Sequence, residues 1–156
     1  MLIGIGLGSN LGDRADHLQQ AISELSRIGS QVRVATSYET DPVDCPAGSP
    51  KFLNTVLVME YQGDLYDLLL KTQGLEEQAG RRDKTEQIRN APRPLDLDIL
   101  FYGQQQLNHH QLVLPHPRMM DRLFVLEPLA ELLPDYRPYP NQPSIAERVE
   151  ELKQTG

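Results

Sequence analysis

The hydrophobic period of this 156-residue chain switches repeatedly between that of a strand and that of a helix, and the order of the switches limits the folds open to it. Leu2 to Gly8 alternates with period two, placing Ile3, Ile5 and Leu7 on one face and Gly4, Gly6 and Gly8 on the other. A face of glycines admits close approach to the backbone, and a packed helix is the expected occupant rather than a ligand. Asp13 is placed to cap a helix that carries Leu18, Ala21, Ile22, Leu25 and Ile28 at helical spacing and is ended by Gly29. Val32, Val34, Thr36 and Tyr38 alternate as a half-buried strand, and Phe52 to Tyr61 reads as a central one. Leu65, Leu68, Leu69, Thr72, Leu75 and Ala79 mark a second amphipathic helix stopped by Gly80, and Leu95 to Tyr102 a further strand. Beyond it lie a short helix over Phe124 to Leu133 and a last helix from Ser144, which stands at capping-box spacing from Glu147. No repeat or linker interrupts the chain, so a single domain over 1–156 is expected. The order β-α-β-β-α-β with a helical C-terminal extension is that of a ferredoxin-like α/β (α+β) sheet with helices packed on it.

Charge and composition narrow the partners. A net charge of −7 argues against broad nucleic-acid binding, which needs a basic surface. The acidity is uneven: Arg81, Arg82, Lys84, Arg89 and Arg93 lie together, opposed only by Asp83 and Glu86. Such an island fits either a compact polyanionic ligand or an ordinary solvated loop. No apolar run approaches the roughly 20 residues of a membrane span, and the N-terminus lacks the basic lead-in of a signal peptide. One cysteine, Cys45, excludes an internal disulfide and suits a reducing compartment, so a cytoplasmic monomer is expected. Cys45 itself reads as a loop residue, within a segment 39–51 that Pro42, Pro46, Gly48 and Pro50 keep irregular. A loop of that length is a candidate functional segment.

The sharpest local signal is Pro92-Arg93-Pro94-Leu95-Asp96-Leu97-Asp98-Ile99-Leu100. In an extended strand Leu95, Leu97, Ile99 and Phe101 face the core while Asp96 and Asp98 share the other face. Two carboxylates about 7 Å apart repel by roughly 2–3 kcal/mol at an effective dielectric near 20, so something should offset the cost. Mg²⁺ would, since it is commonly held by one or two carboxylates with water and substrate phosphates completing its shell. Arg93 is then placed for bidentate phosphate contacts. The alternative is a solvent-facing strand with two harmless acids. His116, fixed between Pro115 and Pro117, is either structural or a donor to phosphate; His109 and His110 read as turn residues. Asn54 shares a face with Phe52 and Val56, where its amide pairs either with backbone or with the edge of a heterocycle.

With these blocks in view the chain resembles the 6-hydroxymethyl-7,8-dihydropterin pyrophosphokinases. The matching stretches are Leu7-Gly8-Ser9-Asn10-Leu11-Gly12, Phe52-Leu53-Asn54, Glu76 to Arg81 and Ala91 to Leu100, then Leu114-Pro115-His116-Pro117-Arg118 and Arg122 to Leu126. The resemblance implies transfer of the β,γ-diphosphoryl unit of ATP to the pterin, with two Mg²⁺ ions held by Asp96 and Asp98. It implies catalytic roles for Arg81 and Arg93, phosphate contacts from His116 and Arg122, and a nucleotide site completed by Gln73, Glu76, Ile99 and Val113. The resemblance implies a further loop cation, which Arg82, Lys84 or Arg89 would supply. Asn54 would read the pterin edge, Phe52 and Phe124 would clamp its ring, and Thr40 and Val43 would add main-chain contacts. Asn90 and Gln111 depart from the family pattern, standing where an aromatic residue and an arginine are common.

Two other classes share parts of this pattern. Gly6, Gly8 and Gly12 suggest a dinucleotide-binding turn, but the spacing is one residue too long for that fingerprint. RNA-binding modules share the β-α-β-β-α-β order, but the acidic pI of about 5.0 and the lack of an aromatic-rich strand count against them. Neither class needs the Asp96/Asp98 pair beside an arginine cluster.

Overall fold

The computed structural model describes residues 1–41, 47–48, 50–80 and 94–155. The chain runs β1 (Leu2–Ser9), α1 (Arg14–Ser26), β2 (Ser30–Val34), β3 (Tyr38–Thr40), β4 (Phe52–Glu60), α2 (Leu65–Gln78) and β5 (Asp96–Tyr102). A hairpin, β6 (Leu107–His109) and β7 (Leu112–Leu114), leads to a 3₁₀ turn (Met119–Asp121), α3 (Leu123–Leu132) and α4 (Ile145–Thr155). The main sheet has the order β2-β4-β1-β5, with β3 also pairing β4. Its described pairings are antiparallel, unlike the parallel sheet of a dinucleotide-binding fold. This is the ferredoxin-like α/β architecture expected from the order of hydrophobic periods.

Two apolar layers sandwich the sheet. On one side Ile3, Ile5, Leu7, Leu57, Met59, Leu97 and Ile99 pack against Leu18, Ala21 and Leu25 of α1 and Leu68 and Leu75 of α2. On the other, Val56, Val58, Leu100 and Phe101 meet Val125, Leu126 and Leu129 of α3 and Ile145 and Val149 of α4. The helical extension therefore covers part of the sheet face that an RNA-binding module would present. Capping follows the sequence where side chains act over short range. Asp13 accepts from the Asp16 N–H, Ser144 and Glu147 exchange both bonds of a capping box, and Gly80 (φ +104°) follows the end of α2.

Six expectations need correction. Glu39 and Thr40, expected in an irregular segment, complete β3, where they pair with Leu53 and Phe52, and His109, expected in a turn, ends β6, where it pairs with Leu112. The stretch from Val32 to Tyr38 is two strands, because Thr36 turns out of the ladder to donate its N–H and hydroxyl to the Glu131 carboxylate of α3. Gly29 does not terminate α1, which ends at Ser26; a Cβ at Gly29 would stand 2.4 Å from Met59 Sδ, so its role is close approach to β4. Phe101 does not share the face of Leu97 and Ile99. A register shift places Gly4 opposite Phe101 but Ile5 opposite Ile99, so Leu100 is the extra residue of a bulge and Phe101 turns to the α3/α4 side. Finally, no helix fills the glycine face of β1: the Phe101 ring covers Gly4, while Gly6 and Gly8 line an open cavity.

This division predicts different costs for one added methyl group. A Cβ at Gly4 would lie 2.4 Å from Phe101 Cε1, in a ring that is fully buried and packed at a 36° tilt against Tyr136, 4.4 Å between centroids. Gly4→Ala should lose about 1–3 kcal/mol of stability by overpacking. Gly6→Ala meets Leu100 no closer than 3.6 Å and should stay within about 0.5 kcal/mol of the parent. Urea unfolding of the two variants reads the difference; equal losses would contradict the packing described.

Candidate active site

A cavity of about 310 Å³ opens between the glycine face of β1 and the start of α3. That volume lies at the lower end of the range of small-molecule sites. The strand register explains its polarity. Gly8 pairs with Asn54 of β4 on one side and with Asp96 of β5 on the other, and Gly6 pairs likewise with Val56 and Asp98. Paired residues share a face, so β4 supplies an amide wall and β5 a carboxylate wall across a floor without side chains. Two inter-strand steps separate those walls by about 10 Å.

At the amide wall, Asn54 is 9% exposed and its Nδ2 donates to Thr40 Oγ1 at 2.6 Å. Thr40 sits opposite Phe52 in the β3–β4 ladder, and Phe124 reaches the same cavity from the first turn of α3. The Arg122 guanidinium carbon lies 5.4 Å from the centroid of the Phe124 ring, within cation–π range, which fixes both side chains at the cavity edge. Two aromatic rings beside one anchored amide suit a flat polar ring system.

The other wall is ionic. Asp96 and Asp98 line the cavity together with His116, Arg118 and Arg122. The His116 backbone N–H donates to the Leu100 carbonyl at 2.8 Å, anchoring the proline-flanked segment to the bulge of β5. Its ring Nδ1 accepts the Arg118 backbone N–H at 3.3 Å, so that network leaves the proton of the neutral ring on Nε2. Burial, then the positive charges of Arg122 and Arg118, hold the imidazole below its ordinary pKa of 6.5, against a smaller opposing effect of Asp96. His116 is therefore a neutral donor at pH 7. No group of three or more His, Cys, Asp or Glu side chains among the described residues is close enough together to hold a metal ion by itself. Two aspartates on one strand face nonetheless form the hard, all-oxygen partial set that suits Mg²⁺, which leaves most of its shell to water and phosphate.

The structure thus gathers Thr40, Phe52, Asn54, Asp96, Asp98, His116, Arg122 and Phe124 around one cavity. Gln73, Glu76, Ile99 and Val113 do not line it. The Ile99 side chain is buried with α1 and α2, leaving only its main chain to meet a ligand, while Gln73 and Val113 are exposed elsewhere. Glu76 accepts the Leu97 N–H at 2.9 Å, tying α2 to the strand that carries the two aspartates. Arg81, Arg82, Lys84, Arg93 and Val43 lie outside the described residues. The sequence reading missed Gly6, Leu7, Gly8, Asp41, Thr55, Val56, Leu100, Arg118, Met119 and Val125 as lining residues. For the glycines the signal was present, since a side-chain-free strand face is what a shallow floor requires.

A ferredoxin-like sheet with this two-walled cavity offers a site of small-molecule size. Residues 4–134 match the family described as 7,8-dihydro-6-hydroxymethylpterin-pyrophosphokinase (HPPK), and the chain belongs to it. It is 42% identical over 130 residues to the 2-amino-4-hydroxy-6-hydroxymethyldihydropteridine pyrophosphokinase of Bacillus subtilis, covering 82% of this chain and 75% of that one. The protein of the same name from Pseudomonas aeruginosa is 40% identical over 135 residues, covering 85% and 81%. A mitochondrial folate synthesis bifunctional protein of Arabidopsis thaliana is 41% identical over 130 residues, but this chain spans only 23% of its length. The crystal structure of an HPPK-DHPS in complex with substrates aligns with a TM-score of 0.75 at 12% identity, covering 99% of this chain and 43% of that one; the likeness is one of fold.

The environment of His116 predicts a pH dependence. Because its folded pKa lies below the unfolded value near 6.5, the unfolded chain takes up a proton first. Its neutral form is fully compatible with the fold above pH 6.5, and stability falls as the pH drops from there toward the folded pKa. In metal-free protein, His116→Gln should flatten denaturant stability across that window. NMR titration of the ring should give a pKa below 6.5, and a higher value would contradict the geometry.

Proposed function

We infer that this chain transfers the β,γ-diphosphoryl group of ATP to the hydroxymethyl group of 6-hydroxymethyl-7,8-dihydropterin, giving the pterin diphosphate and AMP, a step of folate biosynthesis. The observation that carries the reading is the cavity itself, with an anchored amide between aromatic rings at one wall and paired carboxylates beside arginines at the other, in a chain of this family. Asn54 pairs with the pterin edge while Phe52 and Phe124 hold the ring, and Thr40 fixes the amide. The hydroxymethyl group then points along the glycine floor toward Asp96 and Asp98. Its oxygen attacks the β-phosphorus, the bond from that phosphorus to the oxygen bridging the α-phosphate breaks, and AMP leaves with the bonding pair while the hydroxyl proton passes to solvent.

Two Mg²⁺ ions, held by Asp96 and Asp98, would supply charge neutralisation on the triphosphate. His116 donates through Nε2, and Arg122 places a fixed positive charge beside it. Arg81 and Arg93 act on the transferring group, with Arg82 or Lys84 as a further cation. Gln73, Glu76 and the main chain of Ile99 and Val113 serve the nucleotide from the outer edge of β5. Such a site works by positioning and electrostatics rather than by a strong base. The substrates of this reading are small molecules, and a net charge of −7 favours them over nucleic acid; a cytoplasmic monomer remains part of the proposal.

Incubation with Mg²⁺, ATP and the hydroxymethyl dihydropterin should yield AMP and pterin diphosphate one for one, and stoichiometric ADP would overturn the reading. Chelation of the metal should abolish turnover. Asp96→Asn and Asp98→Asn should each lower kcat by at least about a hundredfold, more than 2.7 kcal/mol of transition-state stabilisation, with the circular dichroism spectrum unchanged. Retention of activity within about threefold would remove the pair from the metal site.

A further inference from the structure

The turn from β1 into α1 touches the amide wall from behind. Ser9 and Asn10 are buried there, and Asn10 Nδ2 donates to the Pro50 carbonyl at 3.3 Å. Four residues on, the Arg14 guanidinium reaches both β3 and the residue just before β4. Its Nη1 donates to the Lys51 carbonyl at 2.9 Å, and its Nη2 donates to Glu39 Oε1 at 2.7 Å. Glu39 and Lys51 immediately precede Thr40 and Phe52, the cross-strand pair that lines the cavity and orients Asn54. β3 is three residues long and, among the described residues, pairs with β4, where a longer and exposed ion pair of Lys51 with Asp41 at 3.8 Å also spans the two.

We propose that Arg14 is a positioning residue for the ring-binding wall, bridging β3 to the start of β4 so that Thr40, Phe52 and Asn54 keep the spacing a bound pterin needs. The proposal rests on the pterin reading given above. Stability alone explains the contact poorly, because Arg14 and Glu39 are 29% and 51% exposed and such pairs add little to folding. Geometry explains it better: a guanidinium offers donors in a rigid plane and can satisfy a carbonyl and a carboxylate at once, which a lysine ammonium does with no fixed angle between them. The hydrogen bond from Arg14, and then its charge, hold the Glu39 carboxyl below its ordinary range, so both partners are charged at neutral pH.

The test compares the full-length parent with Arg14→Ala, Arg14→Lys and Arg27→Ala, the last removing an exposed contact to Glu24 on the same helix. Each is titrated with 6-hydroxymethylpterin and, separately, with Mg²⁺ and a non-hydrolysable ATP analogue. Arg14→Ala should raise the pterin Kd about tenfold and leave the nucleotide Kd within about twofold. Its melting temperature should stay close to that of Arg27→Ala, and in turnover KM for the pterin should rise while kcat changes less. Arg14→Lys should recover only part of the affinity. An unchanged pterin Kd in Arg14→Ala, equal weakening of both ligands, or full recovery by lysine would overturn the proposal. A parent that binds no pterin would overturn the functional reading along with it.

Discussion

The structure hangs on close approach at β1. This strand pairs with β4 on one side and β5 on the other, and three of its residues on one face have no side chain. At Gly4 the gap admits an aromatic ring from β5, which joins the sheet to α3, α4 and Tyr136. At Gly6 and Gly8 it stays open, and the flanking strands become walls instead of neighbours in a packed layer. Side chains on those two glycines would fill the space between Asn54 and Asp96 and join two chemistries that the register holds about 10 Å apart. One strand thereby does two jobs, core at one end and binding floor at the other.

The bulge on β5 makes that division possible. Had the strand kept strict alternation, Phe101 would have followed Leu97 and Ile99 toward α1 and α2, and nothing large would cover Gly4. The extra residue, Leu100, turns the C-terminal half of the strand over, so that aspartates face the cavity before it and apolar side chains face α3 and α4 after it. The same irregularity frees the Leu100 carbonyl to receive His116, which brings a residue from beyond the β6–β7 hairpin back to the carboxylate wall.

Much of this was legible in the sequence because it is written at short range. The period-two and helical patterns located the main-sheet strands and the helices; Asp13, Ser144 and Glu147 carry their capping chemistry within three or four residues. The Asp96/Asp98 alternation announced a polar strand face without reference to anything distant. What stayed hidden depends on pairing. Neither the bulge nor the new face of Phe101 can be read from β5 alone, since both arise from its register against β1. The split of Val32 to Tyr38 depends on Glu131, almost a hundred residues away. The Glu76 contact to the Leu97 N–H and the grip of Arg14 on Glu39 and the Lys51 carbonyl are side-chain hydrogen bonds across elements, and such bonds leave no periodicity. Resemblance to a family supplied a residue set, but geometry sorted it into side chains that line the cavity and others, such as Ile99, that have only backbone to offer.

Electrostatics bears on why a chain of net charge −7 would bind an anion as dense as a nucleoside triphosphate. At physiological ionic strength the Debye length is about 8 Å, so the acids spread over the outer surface act only weakly on a ligand inside the cavity. The local set matters more, and there it is mixed by design of the fold: two aspartates on β5, with Arg118 and Arg122 delivered by the segment between β7 and α3. The sequence adds a basic run from 81 to 93 immediately before the aspartates. Such a site is a poor receptor for a free polyanion, because its own carboxylates oppose it, and a good one for a polyanion that arrives with divalent metal. On the proposed function each aspartate would hold a cation instead of facing a phosphate oxygen, and the arginines would neutralise the remaining phosphate charge. His116 fits the same logic, since a neutral imidazole can donate a hydrogen bond to phosphate without adding a charge that the two nearby guanidinium groups would repel.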